Sequence, residues 1–262
     1  MRLGLSNFLN AKPLVEYLPN FSADIFWGPP SQCADYLKDG KIDMALLPSI
    51  EYASAADLML VPGLGISSFG AVHSVLLLTH QSLENVQTIA VDERSRTAAG
   101  LLRILCHEVF HICPRFILMP PDIDVMLSRC DAAMMIGDCA LRVGQKFGGR
   151  CFDLGERWTR WSGKPFTYAF FAGRRDGVSD EDIRCLIEAC FKGLKSIPRI
   201  AEREAGDSFS KEFLLSYLSR SIQYEMTDLH ELGLKLFYEK AYQYQLIENI
   251  PELNFYGVAA HR

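Results

Sequence analysis

No apolar run in this sequence approaches the ~20 residues that a membrane-spanning helix needs, which excludes such a helix. Blocks of basic residues are missing too: 27 Lys and Arg stand against 32 Asp and Glu, for a net charge of −5. That balance argues against nucleic acid as a partner. A small anionic ligand stays compatible with it, because local donors hold such a ligand. Low-complexity stretches and repeats of solenoid period are absent. So are G-x-S-x-G, Walker and G-x-G-x-x-G motifs, and Gly63-x-Gly65 and Gly148-Gly149 read as turns. The eight cysteines (33, 106, 113, 130, 139, 151, 185 and 190) form no C-x-x-C pair. Several sit inside apolar patterns, where a thiol behaves as a small hydrophobe, so a reduced, cytoplasmic setting is expected. The opening MRLGLSNFLNAKPL carries one Arg, no long apolar run and no small-residue cleavage site. It reads as a first strand, not a signal peptide.

What is present is 262 residues, 49% hydrophobic and 23% charged, enough for a sizeable core and most naturally two domains. The organising stretch is 88–105, TIAVDERSRTAAGLLRIL. A β-branched strand at 88–91 stops at Asp92, and a helix begins near Thr97, with Ala98, Leu101, Leu102 and Leu105 on one side. The intervening Glu93-Arg94-Ser95-Arg96-Thr97 has hydroxyls where a helix takes its N-cap. Such a turn aims open backbone N–H groups and the positive end of a helix dipole at one spot, which suits carboxylate or phosphate.

The chain around it alternates in α/β fashion. Strands are expected at 2–6, 24–27, 42–47, 58–64 and 72–79, with short helices after Pro13, from a Ser31 cap, and after Pro48-Ser49. A second set follows: strand 88–91, helix 98–109, strand 115–118, helix 123–127, strand 132–136, and a helix starting at Gly137-Asp138. Then come a strand at 151–154, an aromatic-rich helix at 156–161 and a strand at 166–172. Beyond Ser179, which forms a capping-box pattern with Asp182, the chain reads as helices, including 213–218 and 229–246. The expected arrangement is a smaller domain, 80–168, inserted into a larger one built from 1–79 and 169–262. Strands 72–79 and 166–172 would cross between them as hinges. Open parallel sheets bind ligands beyond their carboxyl ends, and domain clefts are favoured sites. The cleft would then collect Asn10, Ser49, Ser74, Ser95, Thr97 and Gly137, with Arg96 and Asp138 in the same turns.

His107-Glu108-Val109-Phe110-His111 spells H-E-x-x-H, which on a helix places two imidazoles on one face. Zinc catalysis needs a third protein ligand, and the next histidine, His230, lies far along the chain, so no metal site is expected. Trp158 and Trp161 read first as cover for a core edge, and second as a ligand-stacking pair.

Several stretches, in order from 2 to 256, resemble the chorismate dehydratase family of the futalosine route to menaquinone. Ser6-Asn7-Phe8-Leu9-Asn10-Ala11-Lys12-Pro13-Leu14 is similar to its S-Y-L-N-x-x-P-L opening. Pro48-Ser49-Ile50-Glu51-Tyr52-Ala53 is similar to S-S-I-E-Y-A, and Gly70-Ala71-Val72-His73-Ser74-Val75-Leu76-Leu77 to G-A-V-x-S-V-L-L. Ser95-Arg96-Thr97 matches an S-x-T loop, followed by Ile136-Gly137-Asp138-x-Ala140-Leu141. Asp153-Leu154-Gly155-Glu156-x-Trp158 and Gly163-x-Pro165-Phe166 resemble D-L-G-E-x-W and G-x-P-F, and Pro251-Glu252-Leu253-x-Phe255 fits near the end. Departures are Phe8 for Tyr, Ser162 for Thr, Lys164 for an apolar residue and Phe171 for Trp.

The resemblance implies a two-lobed periplasmic-binding-protein type II-like α/β fold, used by a cytoplasmic enzyme that converts chorismate to 3-[(1-carboxyvinyl)oxy]benzoate and water. It implies chorismate as a small-molecule partner, no membrane or nucleic-acid partner, and neither metal nor organic cofactor. Asn10 would orient the substrate or its leaving hydroxyl, and the Ser95–Thr97 helix start would take one carboxylate. Ser74 and Ser49 would help to place the other, with the substrate's enolpyruvyl carboxylate as base. Two alternatives accompany this reading. One is the sister cyclase acting on a dehypoxanthinyl futalosine, expected to put a His base in the cleft. The other is a non-catalytic small-anion binding protein of the same fold.

Overall fold

The computed structural model describes residues 1–18, 24–55 and 57–257. The chain opens with β1 (Arg2–Leu5), a 3-10 turn over Leu9–Ala11 and α1 (Lys12–Val15), with Pro13 in its first turn. β2 (Asp24–Trp27) leads to α2 (Pro30–Lys38), which starts at a proline, so Ser31 lies inside the helix and does not cap it. β3 (Met44–Pro48) is buried throughout, as a strand covered on both faces must be. A 3-10 turn over Ser49–Ser54 precedes β4 (Leu58–Ser68), which runs four residues beyond the expected 58–64.

β5 (Val75–Thr79) and β6 (Thr88–Asp92) follow, then α3 (Thr97–Leu105), β7 (Arg115–Met119) and α4 (Ile123–Arg129), capped by the Asp122 carboxylate. β8 (Ala132–Ile136), α5 (Gly137–Gly144), β9 (Arg150–Asp153) and α6 (Leu154–Ser162) complete the second set. α6 stops at Gly163, whose φ of 66° suits the left-handed turn that closes a helix. β10 (Phe166–Arg174) is followed by α7 (Asp180–Lys195), opened by the Ser179–Asp182 capping box, then by α8 (Ile197–Glu204) and α9 (Lys211–Ser216). The short β11 (Gln223–Glu225) and α10 (Asp228–Gln243) end the regular structure.

The strands form two sheets. The first runs β11-β4-β10-β3-β1-β2, and the second β7-β6-β8-β5-β9. In the first, β1 lies parallel to β2 and β3, whereas β10 is antiparallel to β3 and β4. In the second, β6 lies parallel to β7 and β8, and β5 is antiparallel to β8 and β9. Strand β5, expected as a hinge of the larger unit, pairs wholly within the second sheet, and β10 pairs wholly within the first. The crossings are therefore the non-strand segments 69–74 and 163–165. The first is pinned by the Asp153 carboxylate, which accepts from the N–H groups of Val72 (3.1 Å) and His73 (2.6 Å) while capping α6 through Glu156 (3.0 Å).

Trp158 is fully buried at the base of the second sheet, edge-on to Phe166 and Phe237, and its indole donates to the Pro165 carbonyl. Trp161 packs against it with ring centroids 5.4 Å apart. Both tryptophans therefore serve the core, not a ligand. The expected helix 98–109 divides: α3 ends at Leu105 and a π turn covers Cys106–Phe110. His111 then adopts φ 53°, so the H-E-x-x-H residues do not share an α-helical face. His107 stacks on Tyr244 at 4.6 Å, and Glu108 accepts from Lys240 and Tyr244. Among the described residues no three His, Cys, Asp or Glu side chains gather as metal ligands. All eight cysteines are free thiols, four of them buried, and no described helix is long and apolar enough to cross a membrane.

Candidate active site

Four parallel strands, β1, β3, β6 and β8, end at one cleft between the two sheets. Their exits supply its walls: Ser6, Phe8 and Asn10 after β1, Pro48 at the end of β3, Arg94 through Ala98 after β6, and Ile136 and Gly137 at β8. Val72 and Ser74 from the crossing segment, with Tyr168 of β10, close the remaining side. This is the carboxyl-end geometry expected of parallel sheets.

Asn10 sits in the 3-10 turn and lines the cleft. A side-chain amide there offers both a donor and an acceptor to a ligand. Ser74 Oγ is buried beside the buried Tyr217 hydroxyl, neither making a well-formed hydrogen bond among the described residues, while the Ser74 carbonyl accepts the Gly137 N–H at 2.8 Å. Gly137 has φ 64°, and a Cβ there would lie 3.1 Å from the Phe8 ring. Both the dihedral and the close approach require glycine.

The start of α3 is open. Arg96 occupies its N-cap position without a side-chain hydrogen bond to the helix, so the expected hydroxyl cap is not formed. The first N–H groups of a nine-residue helix remain at the cleft, beside Ser95 and Ala98. Thr97 accepts with its hydroxyl from the Ile50 N–H (3.2 Å), which joins the second-sheet lobe to the first.

Three candidates prove to do other work. Ser49 does not line the cleft: it is fully buried, and its hydroxyl donates to the Thr167 carbonyl at 2.8 Å. Arg96 lies along the cleft, but its Nη2 donates to both carboxylate oxygens of Asp35 (2.8 and 2.9 Å) and its Nη1 lies 3.1 Å from Glu51, both in the first lobe. Asp138 accepts the Leu9 N–H at 3.0 Å, another contact between lobes, and burial raises its pKa. Ser49 is packed in the core, and Arg96 and Asp138 bond across the two lobes.

Two cleft residues were not anticipated. Tyr168 shares a hydrogen bond with Ser68 (3.0 Å), and burial pushes its phenol pKa well up. Arg94 donates through Nε (2.9 Å) and Nη2 (2.6 Å) to the fully buried Asp92. Its guanidinium lies 5.5 Å from the centre of the Phe8 ring. The sequence signal was the D-x-R spacing, since a strand-end Asp two residues before an Arg is placed to fix it.

Residues 1–243 match the family model described as menaquinone biosynthesis. The chain belongs to the menaquinone biosynthesis family. Among curated proteins, it is 27% identical over 255 residues to the chorismate dehydratase of Thermus thermophilus, covering 90% of this chain and 93% of that protein. Among solved structures, a protein from Archaeoglobus fulgidus superposes with a TM-score of 0.76 at 18% identity, covering 94% of this chain and 98% of the other. The periplasmic aliphatic sulphonate binding protein of Escherichia coli superposes with a TM-score of 0.64 at 17% identity, covering 96% and 94%. These neighbours establish the two-lobed periplasmic-binding-protein-like fold for this family member.

Proposed function

We propose that this chain is a chorismate dehydratase, a cytoplasmic hydro-lyase of the futalosine route that forms 3-[(1-carboxyvinyl)oxy]benzoate and water. The observation that carries the reading is the 27% identity to a chorismate dehydratase across 90% of the chain. The cleft chemistry agrees with it. Loss of the C3 proton and the C4 hydroxyl aromatises the ring, so the protein must hold two carboxylates, assist a departing hydroxide and exclude water.

Among the described residues, the lining holds no carboxylate and no imidazole; its titratable groups are two guanidiniums and the Tyr168 phenol, whose raised pKa makes it a poor base. That composition favours the substrate's own enolpyruvyl carboxylate as the base. It also speaks against the sister cyclase, for which a His base in the cleft is expected. The open start of α3 with Ser95 would receive one carboxylate. Asn10 and Ser74, both in the cleft lining, would hold the C4 hydroxyl and hydrogen-bond it as it leaves.

The deciding experiment is product analysis after incubation with chorismate: aromatic product supports the reading, and unchanged chorismate refutes it in favour of a binding protein. Asn10→Ser and Asn10→Asp are expected to fold normally and turn over at least about tenfold more slowly, as losing a donor at the reacting centre implies. Near-normal rates in both would remove Asn10 from the site.

A further inference from the structure

The cleft carries two arginines, and they differ in what remains of them for a ligand. Arg96 is held by two first-lobe carboxylates. Arg94 is held by one, through a single edge of its fork, and that carboxylate is buried behind it. Arg94 lines the cleft, where the thiol of Cys139, a weak acceptor, and the carboxylate of Asp138, already engaged by the Leu9 N–H, are the other groups near it. Asp92 also accepts the Arg94 backbone N–H (3.1 Å), so both ends of the residue are tied to one carboxylate. The Phe8 ring of the opposite lobe covers the guanidinium, and Phe8 itself rests on Gly137. A planar cation backed by a buried carboxylate, roofed by an aromatic ring and open on one edge is preorganised for a second carboxylate.

We infer that Arg94 binds the ring carboxylate of the substrate and stabilises the charge that develops there during the elimination. The inference rests on the dehydratase reading and assigns it a residue. The choice between the two carboxylates follows from the chemistry. The enolpyruvyl carboxylate must stay basic to take the C3 proton, and a guanidinium paired with it would lower its basicity. When the C3–H bond breaks, the proton passes to that carboxylate. The electron pair spreads through the C1–C2 double bond onto the ring carboxylate. It then returns to form the C3–C4 π bond as the C4–O bond breaks, and the hydroxide takes the proton and leaves as water. Negative charge therefore grows on the ring carboxylate and only transiently, which is where a fixed cation is most effective.

The test uses three ligands and two variants of the full chain. The ligands are chorismate, 3-hydroxybenzoate, which has the ring carboxylate alone, and 2-phenoxyacrylate, which has the enolpyruvyl ether carboxylate alone. Arg94→Lys keeps a charge beside Asp92 but loses the fork. The double variant Asp92→Asn, Arg94→Gln removes cation and buried anion together, so that no unpaired charge is left in the core. The affinity of both variants for 3-hydroxybenzoate, measured by calorimetry, is expected to fall about tenfold or more, the worth of one charge-assisted pair. Affinity for 2-phenoxyacrylate should stay within about threefold, which also shows that the variant is folded. With chorismate, kcat should fall further in the double variant than in Arg94→Lys, since only the former lacks the cation.

Equal losses for the two single-carboxylate ligands, or no loss for either, would overturn the assignment. Wild-type protein that binds both ligands yet leaves chorismate unchanged would refute the dehydratase reading, and the affinity ratio would still judge Arg94. Wild-type protein that binds neither would overturn the inference.

Discussion

Arg96 offers a sharp separation between holding a ligand and holding the lobes together. It reaches Asp35 with two short contacts and Glu51 with one, all across the cleft. Its side chain is 32% exposed, Asp35 54% and Glu51 21%, so solvent screens much of the attraction. Such a network is worth about 1 kcal/mol. If closure precedes productive binding, Arg96→Gln should weaken the apparent affinity for chorismate by about fivefold, which is that energy expressed as a ratio. The effect should be salt-dependent: between 0.05 and about 0.5 M salt the wild-type advantage should largely vanish, because the clasp of the wild type is itself screened. Steady-state kinetics at both ionic strengths give the answer, and small-angle scattering at low salt should show a more open particle for the variant. A loss of about a hundredfold that persists at high salt would refute the clasp and return Arg96 to the substrate.

Ser49→Ala should leave kcat/KM for chorismate within about twofold while lowering stability by about 1–2 kcal/mol, because the buried Thr167 carbonyl loses its donor; an unchanged melting temperature with a tenfold loss of activity would put Ser49 back in the site. Asp138→Asn should keep the Leu9 N–H acceptor and remove a buried charge. Because burial raises the folded-state pKa of Asp138, its ionised form costs stability that appears as pH rises through that pKa. The variant should therefore match the wild type in acid and equal or exceed it at pH 7, as chemical denaturation at both pH values would show. A variant clearly less stable at pH 7 would mean that the charge itself, paired with Arg94 or Arg142, holds the lobes.

Most strands were legible because their patterns are unambiguous. MALLP and VLLLT are continuous apolar runs bounded by turn residues, and both are buried throughout. The Ser179–Asp182 capping box was equally readable, since its two hydrogen bonds are local in sequence. What escaped was set by partners far along the chain. β11 is three residues long and exists through its pairing with β4, and α8 follows α7 with hardly a break. The H-E-x-x-H helix looked continuous, yet the turn after Leu105 widens as His107 stacks on Tyr244 and Glu108 meets Lys240, residues more than 130 positions away. At the cleft, the turns that the strand-end rule names line one cavity. The rule did not tell which side chain in each turn faces the ligand. Ser49 and Arg96 show why: a hydroxyl or guanidinium on a strand exit serves a neighbouring carbonyl or carboxylate as readily as a substrate.

The segment Arg94–Thr97 makes that division concrete. Arg94 and Ser95 border the cleft from the second lobe, whereas Arg96 and Thr97 reach across to Asp35, Glu51 and Ile50 of the first. All four residues line the cleft, so ordering this turn for a ligand would also order the bonds between the lobes. The Thr97–Ile50 and Asp138–Leu9 hydrogen bonds cross between the lobes beside the Arg96 contacts. Together these are worth about 3 kcal/mol, a bias that a dianion bridging both lobes needs only to reinforce. A ligand held by the second lobe alone would gain nothing from closure. One that touches Asn10 of the first lobe and the α3 start of the second binds the closed form preferentially. In the proposed elimination, which must exclude water, one turn would then carry both the contacts that recognise the substrate and those that seal it in.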